Sequence, residues 1–266
     1  MNHLLRERAP ITEAGWAELD GEARKRLEPG LAARKVVDFA GPLGWDHSAT
    51  NLGRISSIDA PFEGIAAAQR RVLPLVELRA PFAVTRAELA DADRGAADID
   101  FDSLDEAAHR LAVAENAAVF HGFDASGIEG IVQVSTHEPI ALGADSNDYP
   151  RHVTKALNLL LNAGVDGPYG MALGPAAFER VLESTEGGWL LLDHIRKILD
   201  GGPLVWAPGL EGAVVMSTRG GDFLFESGED ISVGYFSHDT EAVTLYLEES
   251  FSFRVATPEA AVALTP

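Results

Sequence analysis

The 266 residues contain no cysteine. That single absence removes disulfide frameworks, zinc thiolate sites, iron–sulfur clusters and thiol nucleophiles together. Basic residues are scarce as well: 21 lysines and arginines stand against 41 aspartates and glutamates, a formal net charge of −20. Such a surface repels phosphate backbones, so nucleic acid is not an expected partner. No run approaches 18 apolar residues, and the opening MNHLLRERAPITEAGW lacks the apolar core of a signal peptide. No membrane insertion is expected, and a cytoplasmic location is.

The familiar chemical signatures are missing too. There is no GxxxxGK[ST] and no GxGxxG behind a strand, so no phosphate cradle is visible. The eight histidines are dispersed, with no HExxH or other close ligand pair, and no metal site is expected. Ser126, in Asp124-Ala125-Ser126-Gly127, is the candidate nucleophile for a hydrolase. It lacks a GxSxG elbow and follows a helix rather than a strand, which favours a plain glycine-rich loop.

What is present is an ordinary globular mixture, 46% hydrophobic and 23% charged, enough for one large domain or two modest ones. Thr12 is placed to cap a first helix whose apolar face is Trp16, Leu19, Ala23 and Leu27, ended by Pro29-Gly30. Residues 41–75 carry Pro42, Gly44, Gly53, Pro61 and Gly64 with little periodicity. Strand-like pieces at Gly53–Ile58 and Val72–Leu78 suggest a two-stranded excursion that must find its partner elsewhere, such as on a neighbouring subunit. Strand signals continue through 73–85. Ser103 and Glu106 read as a capping box for a long helix to His121-Gly122, with Leu104, Ala108, Leu111, Ala118 and Val119 on one face.

Residues 123–222 read as an α/β region. Helices are expected at Val153–Ala163, Pro175–Leu182 and Trp189–Leu199, and strands at Tyr169–Leu173, Leu204–Ala207 and Ala213–Ser217. From Asp222 onward the pattern is antiparallel: Phe223–Phe225, Asp230–Phe236, Ala242–Leu247 and Ser250–Val255 are four expected strands. Within them, GEDISVGYF (228–236) offers two acids, a hydroxyl and a phenol. Glu229 and Asp230 are consecutive, however, and on a strand they would face opposite ways, a poor geometry for a catalytic dyad. The stretch reads as sheet. The β-rich ends bracketing the α/β region suggest a discontinuous domain with another embedded in it.

Taken in order, APITEAGWAELDGEAR, AARKVVD, GPLGWDH, LPLVELRAPFAVT, GVDGPYGMAL, RGGDF (219–223), DISVGYF and TLYLEESFSFRV resemble the shell proteins called encapsulins. The resemblance is to type 1 (linocin- or bacteriocin-like) members of actinobacterial kind, and it runs from near residue 4 to about residue 260. It implies an α+β fold, that of tailed-phage major capsid proteins of Hong Kong 97 type. The peripheral domain would comprise 1–47, 76–123 and 220–266, with a spine helix at about 103–121; the extended loop would be 48–75 and the axial domain 124–219. It also implies self-assembly into a closed icosahedral shell in the cytoplasm, with recovery outside the cell or at membranes also compatible. The alternatives are a prophage major capsid protein, which the charge of −20 argues against, and a hydrolase or bacteriocin, as older family labels suggest.

By the same resemblance the chain is no enzyme and any catalysis belongs to an enclosed guest. The guest would be a dye-decolorizing peroxidase tied to oxidative stress, or else a ferritin-like protein of iron storage. The guest's C-terminal peptide would dock on Leu31, Arg34, Val37 and Asp38, with Asp230 and Ile231 opposite. Glu183, Ser184, Thr185, Glu186, Gly187, Gly188 and Trp189 would line a five-fold pore whose acids favour cations. Some relatives hold a flavin through an aromatic residue just after the extended loop; Thr85-Arg86-Ala87 offers none, so no cofactor is expected.

Overall fold

In the computed structural model, residues 3–143, 145–186 and 189–266 are described, Glu186 and Trp189 by their backbone alone. Helix α1 (Glu13–Gly30) opens on Thr12, whose hydroxyl oxygen accepts the Gly15 N–H at 3.1 Å. Leu19, Ala23 and Leu27 are buried one turn apart, as the apolar period requires. Strand β1 (Asp38–Ala40) follows, then a hairpin of β2 (Ala49–Ile58) and β3 (Ala67–Pro74) paired only with each other. The two-stranded excursion is therefore present. Its second strand starts earlier than expected, and Val76–Leu78 belongs to the next strand, β4 (Val76–Thr85). Helix α2 (Arg86–Asp93) and the long α3 (Asp102–His121) complete this half.

The middle of the chain adds α4 (Ile131–Val134), β5 (Ile140–Ala141), α5 (Tyr149–Asn162), β6 (Tyr169–Leu173), α6 (Pro175–Glu183), β7 (Thr185–Glu186), β8 (Trp189–Leu190), α7 (Leu191–Ile198), β9 (Leu204–Trp206) and β10 (Ala213–Ser217). The chain closes with β11 (Phe223–Ser227), β12 (Ser232–His238), β13 (Ala242–Val255) and β14 (Ala261–Thr265).

Two five-stranded sheets organise these elements. In the first, β13 is central: β4 pairs along one edge, while β11 and β12 lie end to end along the other, and β1 pairs in parallel outside β11. The second runs β5-β14-β10-β6-β9. Helix α3 spans both cores. Leu104, Ala108 and Leu111 pack with α1 and the first sheet, whereas Val119 and Phe120 pack with the second sheet and its helices.

Three expectations are corrected here. Ser103 and Glu106 form no capping box: α3 begins after Phe101, and the Ser103 hydroxyl instead donates to the Ala83 carbonyl at 2.5 Å. The runs 242–247 and 250–255 are one continuous 14-residue strand, β13. The last strand, grouped with 220–266, sits in the second sheet between β5 and β10. Its alternating small and branched residues are buried on both faces, which only an interior strand allows.

Candidate docking groove

GEDISVGYF is only partly strand. Ser227 pairs with Phe251 and Ser232 with Glu248, so residues 228–231 stand opposite only Glu249 and Ser250. The extra residues bulge out of the sheet, as an excess of residues on one strand must. The bulge is pinned by the Gly228 N–H to the Ser250 carbonyl at 2.8 Å and the Ser250 N–H to the Glu229 carbonyl at 3.0 Å. It thrusts Asp230 and Ile231 toward α1, and between them lies a groove of about 630 Å³. Its apolar surface comes from Leu27 and Leu31 on one side and Ile231, Val233 and Leu247 on the other.

Beneath the groove sits a charge cluster. The Arg34 guanidinium donates to Glu115 at 2.6 Å, Asp230 at 2.5 Å and Glu249 at 2.8 Å. It also lies over the Phe39 and Phe225 rings, 5.0 and 5.4 Å from their centroids. Glu115 and Glu249 are buried, while Asp230 is 48% exposed at the groove. Burial disfavours the Arg34 charge, but the Glu115 and Glu249 carboxylates outweigh it and hold the guanidinium above its ordinary range. Burial pushes the Glu249 carboxyl well above the usual carboxylate range, the Glu115 charge adds to that, and Arg34 opposes it. Glu115 Oε1 and Glu249 Oε1 are buried without another hydrogen-bond partner. With three carboxylates around one guanidinium, the cluster favours the protonated form of the deeply buried Glu249 more than water does.

Of the six residues expected at a docking surface, Leu31, Arg34, Asp230 and Ile231 come together here. Val37 and Asp38 do not; they line a separate depression with Ser217, Thr218 and Asp222. Asp38 accepts the Gly221 N–H at 2.5 Å, capping a turn in which Gly220 and Gly221 adopt φ of 91° and 84°. Its carboxylate is committed to holding β1 against β11. Residues not foreseen include Leu4, Arg6 and Asp20, which wall the groove, and Glu115 beneath it. Glu115 had a legible signal: it continues the stripe Ala108, Leu111, Ala112 on α3, where a charge needs a buried partner.

Glu183 ends α6, and the Ser184 hydroxyl pairs with that of Ser146 at 2.6 Å. Thr185–Glu186 and Trp189–Leu190 form a short hairpin rather than the expected loop, with α7 starting after it. Gly187 and Gly188 lie outside the described residues, as do the side chains of Glu186 and Trp189. Ser126 donates to the Phe123 carbonyl at 2.9 Å within a turn, the bond of a structural serine. Among the described residues no helix is long and apolar enough to cross a membrane.

A long helix crossing two sheets, with a hairpin whose strands pair only with each other, is the architecture of the tailed-phage capsid fold. The virus-like particle of Pyrococcus furiosus has this fold, with a TM-score of 0.60 at 19% identity over 94% of this chain and 98% of that one. The capsid of a GTA particle follows at 0.54 and 16%, over 88% and 89%. Residues 1–252 match the family described as "Encapsulating protein for peroxidase". The type 1 encapsulin shell protein of Rhodospirillum rubrum is 48% identical, over 99% of this chain and 96% of its own length. That of Brevibacterium linens is 43% identical over the whole of both. This chain belongs to the encapsulin shell-protein family.

Proposed function

We propose that the chain assembles into a closed icosahedral compartment in the cytoplasm, and that the groove between α1 and the 228–231 bulge captures the C-terminal peptide of a guest enzyme. The groove carries this reading: its apolar floor is rimmed by charged side chains, Asp20, Arg24, Glu28 and Lys35 among them, and the half-exposed carboxylate of Asp230 is held in place by Arg34. A peptide whose alternate aliphatic side chains fill the trough needs little more than that. The guest is a dye-decolorizing peroxidase, in keeping with the family's description as encapsulating a peroxidase; a ferritin-like iron protein is the second choice. Catalysis belongs to the guest. The shell subunit holds no cofactor of its own, and the segment 183–189 lines a cation-permeable pore.

The β2–β3 hairpin supports assembly. Ile55, Ile58, Phe62 and Ile65 are 50–74% exposed on it. A two-stranded ribbon bearing that much apolar surface requires a neighbour to cover it. Negative-stain microscopy of the purified protein tests this directly, and small monomers or dimers alone would refute it. Ile231→Asp places a charge in the trough, so shells should form but leave without the guest. Unchanged guest content would dismiss the groove.

A further inference from the structure

The groove has a third wall, and it is made by the segment just before α1. Leu4 lines the trough and is 9% exposed. The segment adds itself to the free edge of β12: the Tyr235 N–H donates to the Leu4 carbonyl at 2.9 Å, and the Arg6 Nε donates to the Val233 carbonyl at 2.8 Å. Each end is then clamped. The His3 ring stacks on Trp45, centroids 3.9 Å apart and 9° from parallel, with its Nε2 2.6 Å from Glu229 on the bulge. Arg6 grips Asp20 of α1 with both nitrogens, at 2.8 and 2.5 Å, and lies 4.5 Å over the Trp16 ring. Between the clamps Leu5 takes φ 51°, a left-handed conformation that a branched side chain rarely adopts. Such a conformation persists only where the surroundings over-determine it.

We infer that His3 and Arg6 are positioning residues for guest docking: they hold Leu4 as a preformed wall that packs against an aliphatic side chain of the guest's extended tail. This rests on the groove being the docking site. Of the two clamps, Arg6 lines the groove beside Leu4, whereas His3 lies outside the lining. Each works by keeping the wall in place before the guest arrives, so the tail does not pay for ordering it. The chemistry suits that job, since Arg6 bridges β12 to α1 across one end of the trough. A lysine there could keep the charge opposite Asp20 but not the two-pronged grip.

The test uses assembled shells and two fluorescent reporters, one carrying the C-terminal tail of the source organism's dye-decolorizing peroxidase, the other that of its ferritin-like protein. Tail affinity and reporter loading are measured for the wild type and for Arg6→Ala, Arg6→Lys, Leu4→Ala and Ile231→Asp, beside shell melting temperature. If Arg6→Ala leaves the wall in place about a tenth of the time, affinity falls about tenfold, with assembly and melting near wild type. Leu4→Ala should fall comparably, and Arg6→Lys in between. Hydrogen exchange at the Tyr235 amide should quicken in Arg6→Ala. Wild-type affinity in both Arg6→Ala and Leu4→Ala, with Ile231→Asp inactive, overturns the wall and leaves the groove standing. Unchanged affinity in Ile231→Asp, or no loading of either tail by wild-type shells, overturns both. Should Arg6→Ala fail to assemble, Leu4→Ala decides alone.

Discussion

Asn116 and Ala33 meet at 2.9 Å, the Asn116 carbonyl oxygen accepting the Ala33 N–H in a fully buried spot. The same oxygen accepts Ala32 N–H at 3.1 Å, and the amide nitrogen donates to the Gly30 and Pro208 carbonyls at 2.7 and 2.9 Å. One side chain of α3 therefore satisfies the backbone where α1 ends and where the loop before β10 turns. Asn116→Ala should cost about 3 kcal/mol or more, because it strands several buried backbone groups at once. Chemical denaturation of the subunit measures the loss; a cost below that of an ordinary surface substitution would contradict the account.

Arg34→Met keeps much of the side chain's volume but deletes the charge that Glu115 and Glu249 share. Breaking a buried ion cluster by removing one partner typically costs about 3–5 kcal/mol. The triple variant Arg34→Met, Glu115→Gln, Glu249→Gln should recover a large part of that loss. Thermal unfolding of the single and triple variants supplies the comparison, and equal stabilities would count against the pairing.

The Glu249 carboxyl is raised in the folded state, chiefly by burial, so the folded chain binds its proton more tightly than the unfolded one. Its contribution is therefore full below the ordinary carboxylate range and is lost as pH rises toward the raised value. Wild-type melting temperature should carry a declining component from about pH 5 upward. Glu249→Gln, which mimics the protonated acid, should flatten that limb. A melting profile with the same slope in both proteins would dismiss the raised Glu249 carboxyl.

A methyl group on Gly234 would overlap the Tyr246 ring. Tyr246 is itself pressed under Arg79, whose guanidinium sits 4.9 Å from the ring centroid. Gly234→Ala should cost about 1–3 kcal/mol through overpacking, and Tyr246→Leu in the same chain should return part of it. The double-mutant cycle reads out the coupling, and additive effects would place the clash elsewhere.

Periodicity revealed most of the helices and strands, and the order of the motifs revealed the family. What it concealed has one physical cause. Glu248, Glu249 and Ser250 interrupt β13 with polar residues, and a polar interruption in an apolar strand reads as a turn. Here the interruption is buried: Glu248 faces Arg79 and Glu249 faces Arg34, from chain positions far away. The same distant partner hid Glu115. Ser103 misled in the opposite direction, since its spacing to Glu106 suits a cap while β4 offers its hydroxyl the Ala83 carbonyl instead. Four of the six docking residues converge, and Asp38 separates from them because a glycine turn claims its carboxylate.

Residues 261–265 fill the slot between β5 and β10. Until that stretch leaves the ribosome, the β10 edge is bare and the second core lacks a wall, although every other strand of the sheet has already been made. Contacts between distant chain positions form late in folding. The second lobe thus cannot be finished before residues 261–265 have been made, and the order of synthesis sets the order in which the two cores of the subunit can close.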